Sequence, residues 1–296
     1  MTIELPAGVT LGEGRGGLPR LTLATDLCTA ELYLHGAHLC YWQPRSHPHP
    51  VLWMSQASLF QAGAPIRGGV PICFPWFGPN ARDPKAPAHG VARVSAWTLD
   101  RIEVEPDGTT AIGLSLASNA GALAAAPHDA TLTCTVRLGH ALSMALTVAN
   151  SASTPLRFED ALHTYFAMSD VRRVGVEGLA GATFVDKTDG GKRKTQDERV
   201  ITISGETDRL YLDTPATITV TDPGFGRRIR VAKTGSLASV VWNPWIAKSR
   251  AMPDFGDDEW QGMLCIETAN ASDNAVTLPP GAGHTMTAAV SLIGAP

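Results

Sequence analysis

Apolar and polar residues alternate along much of the chain. Thr131–Leu138 reads TLTCTVRL, with Leu132, Cys134, Val136 and Leu138 on one face of an extended segment and Thr131, Thr133, Thr135 and Arg137 on the other. Thr217–Thr221 (TITVT) and Arg228–Lys233 (RIRVAK) repeat the pattern. A period of two is the spacing of half-buried antiparallel strands. Turn-forming clusters stand between such runs, at Leu138–His140, Asp222–Gly226 and Pro279–His284, and predict hairpin connections. Helical periodicity is nearly absent: Asn119–Asp129 (NAGALAAAPHD) accommodates one short helix at most. No Pro/Gly/Ser-rich linker divides the chain and no repeat is evident. The pattern predicts an all-β protein, a single antiparallel β-sandwich domain over residues 1–296.

Composition narrows the function. Hydrophobic residues make up 44% of the 296 and charged residues 18%, enough apolar content for a large core and too little charge for a disordered chain. The net charge of −4 argues against nucleic acid as a partner. The sole basic cluster, Gly190–Lys194 (GGKRK), reads as a solvated hairpin tip. The five cysteines, Cys28, Cys40, Cys73, Cys134 and Cys265, are spread out and never form a CxxC pair, so reduced thiols in a cytoplasmic protein are expected. No secretion signal is visible at the N-terminus and no apolar run is long enough for a membrane helix. Gly12, Gly14 and Gly17 spell GxGxxG, but Pro19 and a strand-like run follow where a nucleotide-binding motif needs a helix. The histidines of Ser46–Pro50 (SHPHP) lack the fixed spacing of a metal site. No cofactor and no metal are expected.

Arg67–Pro79 (RGGVPICFPWFGP) is different: a lone charge heads a stretch of glycines, prolines and aromatics that suits neither a helix nor a strand. Three further segments carry polar groups a sandwich core does not need. Ala88–Trp97 has His89 and Arg93. In Phe158–Phe166 (FEDALHTYF), read as a strand, His163 shares a face with Arg157, Glu159 and Tyr165. In Met263–Asn270 (MLCIETAN), Glu267 shares a face with Met263 and Cys265. An ionisable group inside an apolar strand is costly unless paired, and a partly wet sheet face would make the pairing possible. These residues alone define an all-β protein with a polar cleft and leave its chemistry open.

The segments IRGGVPICFPWFGP, HGVAR, LHTYF, TDRLYLD, VVWNPW with its following AK, M and DF, and MLCIETAN stand in an order and spacing that resembles the hexose-6-phosphate mutarotases, or glucose-6-phosphate 1-epimerases, of the aldose 1-epimerase superfamily. The resemblance spans roughly residues 20–293. It implies a galactose-mutarotase-like sandwich with the active site on a concave face. It further implies that His163 and Glu267 are catalytic, that Arg67 and Arg93 hold the sugar phosphate, that Asp208 binds sugar hydroxyls and that His89 is a second site histidine. Ala88 departs from the glutamine often found before that histidine, which bears on substrate preference. Gly68 and Gly69 are then expected to turn the backbone beside a ligand, and Trp76 is one candidate to lie against a sugar ring.

The implied reaction interconverts the α and β anomers of a hexose 6-phosphate by ring opening and closure. Glu267 would take the anomeric hydroxyl proton and His163 would protonate the ring oxygen. A neighbouring carboxylate, Asp160 or Asp208, would favour the imidazolium. A monomer acting on a small molecule, with no membrane partner, is expected. A free-aldose 1-epimerase and a non-catalytic carbohydrate-binding domain are the competing readings.

Overall fold

The computed structural model describes residues 3–117 and 130–294; the helix considered at Asn119–Asp129 lies outside them. Strands dominate, as the alternation predicts. Ala130–Leu138 buries every second side chain, from Ala130 through Leu132, Cys134 and Val136 to Leu138. Ile218–Asp222 and the first half of Arg227–Thr234 do the same.

Two antiparallel sheets carry the architecture. The larger has nine strands and runs from Val200–Thr202 at one edge, through Arg227–Thr234 and Gly283–Gly294, to Thr98–Val104 at the other. The second has eight. Its order is Lys192–Thr195, Thr183–Asp186, Thr207–Tyr211, Ala238–Asn243, Met263–Asn270, Asp160–Leu162 and Ile72–Cys73, with Tyr165–Ala167 also paired to Met263–Asn270. One continuous cluster of buried side chains draws on both, including Leu146, Val148 and Met286 from the larger and Val240, Leu264 and Ile266 from the smaller. Each such aliphatic side chain contributes about 1.5–3 kcal/mol when fully buried. A four-stranded sheet, Val9–Glu13 to His38–Pro44, adds Leu21, Leu32 and Trp42 to the same core. Arg15–Gly17 is one 3-10 turn between two strands, so the GxGxxG glycines open no helix.

The Gly190–Lys194 tip behaves as expected: Lys192, Arg193 and Lys194 are exposed and each meets a carboxylate, of Asp189, Asp273 and Asp186 respectively. All five cysteines are free and buried. No described helix is long and apolar enough to cross a membrane. The one α-helix among the described residues, Trp245–Ala251, follows a Pro, and Asn243 anchors it: its Oδ1 accepts from Trp245 N at 2.9 Å while its Nδ2 donates to Trp260 O and Met263 O.

Candidate active site

Cross-strand register builds the site. Residues paired on neighbouring strands share a face. Asp208 pairs with Trp242, Trp242 with Cys265, and Cys265 with Tyr165. Those four positions form a row across the eight-stranded sheet, and Glu267 stands two residues further along Met263–Asn270. That strand is buried at all eight positions, and the partly wet face expected is narrowed to a cavity that Asp208, Trp242 and Glu267 line.

Phe158–Phe166 is not one strand. It breaks into Leu156–Phe158, Asp160–Leu162 and Tyr165–Ala167, and His163 sits in the second gap. The single face proposed for its polar residues dissolves with it. Arg157 is exposed on a separate two-stranded sheet, and the Glu159 carboxylate accepts from Phe77 N and Ser272 N, tying two loops. Tyr165 alone stays beside His163, its ring stacked at 4.8 Å and 8°. The break is what lets His163 reach the next strand: its Nε2 lies 3.3 Å from Glu267 Oε1.

His163 and Glu267 floor a cavity of about 260 Å³ whose walls include Arg67, Phe77, His89, Lys187, Asp208, Trp242 and Lys248. Both floor residues are buried, 6% and 2% exposed. Glu267 Oε2 and His163 Nδ1 have no hydrogen-bond partner among the described residues. Burial drives Glu267 well above the ordinary glutamate range, against the lowering fields of Lys187 and Arg93. Burial likewise pushes His163 well below the usual histidine range, reinforced by His89, Arg93 and Arg67. The expectation that Asp160 or Asp208 would favour the imidazolium is therefore overturned, because desolvation and nearby cations act the other way. Asp160 instead accepts from Asn270 Nδ2 at 2.9 Å, and burial raises it to about 7.

His89 has φ +63°, a left-handed backbone held by reciprocal bonds. Its N–H donates to Gly78 O at 2.7 Å, and Gly78 N donates to its Nδ1 at 3.3 Å. Nδ1 is thus an acceptor, which leaves the ring proton on Nε2. Burial, then Arg93, keep the ring neutral. Gly90 follows at φ +78°, where a Cβ would lie 2.0 Å from Phe74 O.

The arginines differ from each other. Arg67 is on the cavity wall but already engaged: Nε and Nη2 contact Asp254 Oδ2 at 3.2 and 3.0 Å, and Nη1 donates to Tyr165 Oη at 2.9 Å. Arg93 is buried and absent from the wall. Its Nη2 donates to Ala88 O at 2.6 Å, and its Nε has no partner among the described residues. The exposed Ala88 thus acts through its carbonyl. Gly68 and Gly69 do turn the backbone, with φ of +114° and +58°, and they pack tightly as well: a Cβ on Gly68 would meet Met54 Cα at 2.6 Å, and one on Gly69 would meet Leu39 O at 2.3 Å. Trp76 donates to Pro87 O and is not on the wall; Phe77 and Trp242 are the aromatics there.

Lys187 went unmentioned in the sequence reading, and Lys248 stood in the quoted AK without a role. Lys187 follows the strand Thr183–Asp186 and lies with its Nζ 4.7 Å from the centre of the Phe77 ring. Lys248, on the helix, donates to Glu206 at 2.9 Å. Each comes within 3.8 Å of Asp208 from a different side. Lys187 sits in the hairpin between Thr183–Asp186 and Lys192–Thr195, and Lys248 on the helix after VVWN; the strand Thr207–Tyr211, paired beside that hairpin, places Asp208 between them.

A buried His163–Glu267 contact thus stands beneath a cavity lined by Arg67, Lys187 and Lys248, and the chain carrying it is similar to several known proteins. The chain is 38% identical over 244 residues, 82% of its length and 80% of the relative's, to an Escherichia coli (strain K12) protein named "Putative glucose-6-phosphate 1-epimerase". A relative of the same name from Cenchrus ciliaris is 34% identical over 86% of this chain and 78% of its own. The crystal structure of a "putative mutarotase" from Salmonella typhimurium superposes with a TM-score of 0.91 at 30% identity, covering 99% of this chain and 96% of that one. The model of the aldose 1-epimerase family matches residues 19–291, and the chain belongs to that family.

Proposed function

We propose that the protein is a glucose-6-phosphate 1-epimerase that exchanges the α and β anomers of a hexose 6-phosphate. The observation that carries the reading is the 3.3 Å contact between His163 Nε2 and Glu267 Oε1 at the floor of the cavity. The anomeric oxygen O1 and the ring oxygen O5 are both bonded to C1. An acid and a base that serve them together must therefore be close neighbours. Glu267 takes the proton from O1 as His163 delivers one to O5; the ring opens to the aldehyde, the C1–C2 bond turns, and closure reverses both transfers. His89 Nε2–H and Asp208 bind sugar hydroxyls, and Trp242 packs on the ring. The cavity is near the small end of ligand sites, about 300 Å³, which suits one monosaccharide.

The cations favour a phosphorylated sugar. Arg67, Lys187 and Lys248 share the wall, and Arg93 stands behind as a guanidinium with one protein acceptor. A phosphate dianion among them would offset the positive field that adds to burial in keeping His163 neutral, so binding the correct substrate would shift the imidazole toward its charged form. The free-aldose reading draws on the Asp254 carboxylate that already neutralises Arg67. Anomer-exchange NMR on equilibrated glucose 6-phosphate and on glucose separates the two: acceleration confined to the phosphate ester supports this reading, and equal acceleration of both overturns the phosphate assignment. The five buried, unpaired thiols fit a reducing, cytoplasmic setting.

A further inference from the structure

The acid–base pair has a third neighbour that epimerisation does not use. His163, Cys265 and Glu267 each offer a ligand atom, and these atoms all lie within 4.8 Å of one another. Cys265 and Glu267 are two residues apart on one strand and so point to the same face; His163 reaches them from the gap between its two short strands. The N–O separation of 3.3 Å is what two ligands of one tetrahedral zinc at about 2.0–2.1 Å would show. Glu267 Oε2, on a side chain 2% exposed, has no other partner among the described residues.

We propose that this triad is an inhibitory site for a thiophilic divalent cation, Zn²⁺ above all. Imidazole, thiolate and carboxylate together select zinc over magnesium or calcium, which prefer all-oxygen shells. His163 Nε2 gives its lone pair, the Cys265 thiol releases its proton to solvent, and Glu267 binds as carboxylate, with any proton on it also lost to solvent. The fourth position opens to the cavity. A bound ion occupies the atoms that would accept from O1 and donate to O5, so catalysis stops until the metal leaves. Only the loss of activity rests on the proposed function; metal binding does not.

Co²⁺ is the spectroscopic probe. The wild-type protein should bind one Co²⁺ with a thiolate-to-metal charge-transfer band, displaced by Zn²⁺ and abolished by EDTA. Cys265→Ser should lose the band while keeping anomer exchange within a few-fold. Altering groups that merely support metal ligands costs about 10–100-fold in affinity, so removing a direct ligand should weaken zinc inhibition at least ~10-fold. Glu267→Gln should weaken zinc binding by calorimetry whatever its activity. A band kept in Cys265→Ser and lost in Cys73→Ser would move the ion to Cys73 and His89, whose Sγ and Nδ1 are 3.6 Å apart, and overturn the proposal. So would zinc inhibition that survives Cys265→Ser and vanishes when His47 and His49 are changed to Ala. If Cys265→Ser fails to fold, the wild-type band and its loss in Glu267→Gln decide alone.

Discussion

Glu267→Gln removes one ionisable group and almost no volume, and its effects on rate and stability should have opposite signs. The carboxylate is 2% exposed, so no bulk water stands by to replace the lost base. A general base contributes about 10²–10⁴ in rate, equivalent to roughly 2.7–5.5 kcal/mol of barrier, and the dry setting places this one toward the upper half. Stability should rise. Burial raises the folded-state pKa of Glu267, so the native protein binds more protons than the unfolded chain. Its stability then falls as pH climbs from the unfolded value toward the folded one. Glutamine cannot ionise and escapes that penalty. At pH 7–8 the variant should melt higher than wild type, and the gap should close near pH 4, where both are uncharged at this position. Anomer-exchange NMR at saturating glucose 6-phosphate gives the rate, and calorimetric melting across pH gives the stability. A variant with wild-type turnover would remove Glu267 from the chemistry. One that melts lower at pH 8 would show that the carboxylate is net stabilising and that the pairing with His163 outweighs desolvation.

Asp160→Asn tests burial away from the chemistry. With the folded pKa raised from 3.8 to about 7, the aspartate should cost of order 4 kcal/mol above neutrality, and the variant should flatten the fall in denaturant midpoint between about pH 4 and 7. Lys187→Met should raise KM for glucose 6-phosphate about fivefold, the ~1 kcal/mol expected of a partly exposed cation facing an anion, with kcat and weak activity on glucose held; an unchanged KM would remove Lys187 from the phosphate. Gly90→Ala should lower unfolding free energy by ~2–4 kcal/mol in urea, because the left-handed φ and the close Phe74 carbonyl both oppose a Cβ; a loss below 0.5 kcal/mol would mean that the loop yields freely.

The regular strands were legible because one face of each is wet. Thr133 and Arg137 alternate with Cys134 and Val136 only because solvent reaches the first pair. The site strands offered less. Met263–Asn270 is covered on both sides, so its pattern says buried without saying which face holds the chemistry. The gap at His163 and Thr164 depends on pairing with Met263–Asn270 about a hundred positions later in the chain, which no local window contains. His163, Glu267, His89, Asp208 and Arg67 were found through the quoted motifs and do meet in one cavity. Arg93 was found too, but its side chain turns back to Ala88 O. The sequence shows that an arginine exists and not which acceptor wins it; Asp254, the aspartate of the quoted DF, gave no sign that it would claim Arg67. Lys187 and Lys248 look like any exposed lysine until the sheet brings Asp208 between them.

Where Met263–Asn270 lies has a consequence for how the molecule breathes. It is an interior strand, hydrogen-bonded on both edges and shielded along its full length, so its amides should exchange with solvent only in the rarest and most global openings. The lysines of the rim sit on a 3-10 turn, Lys187–Asp189, and a seven-residue helix, neither of which is paired along both edges, so local opening there should cost less free energy than opening of the sheet. Contacts made by Lys187 and Lys248 would then exchange faster than the position of Glu267, which leaves the most protected part of the cavity at its floor.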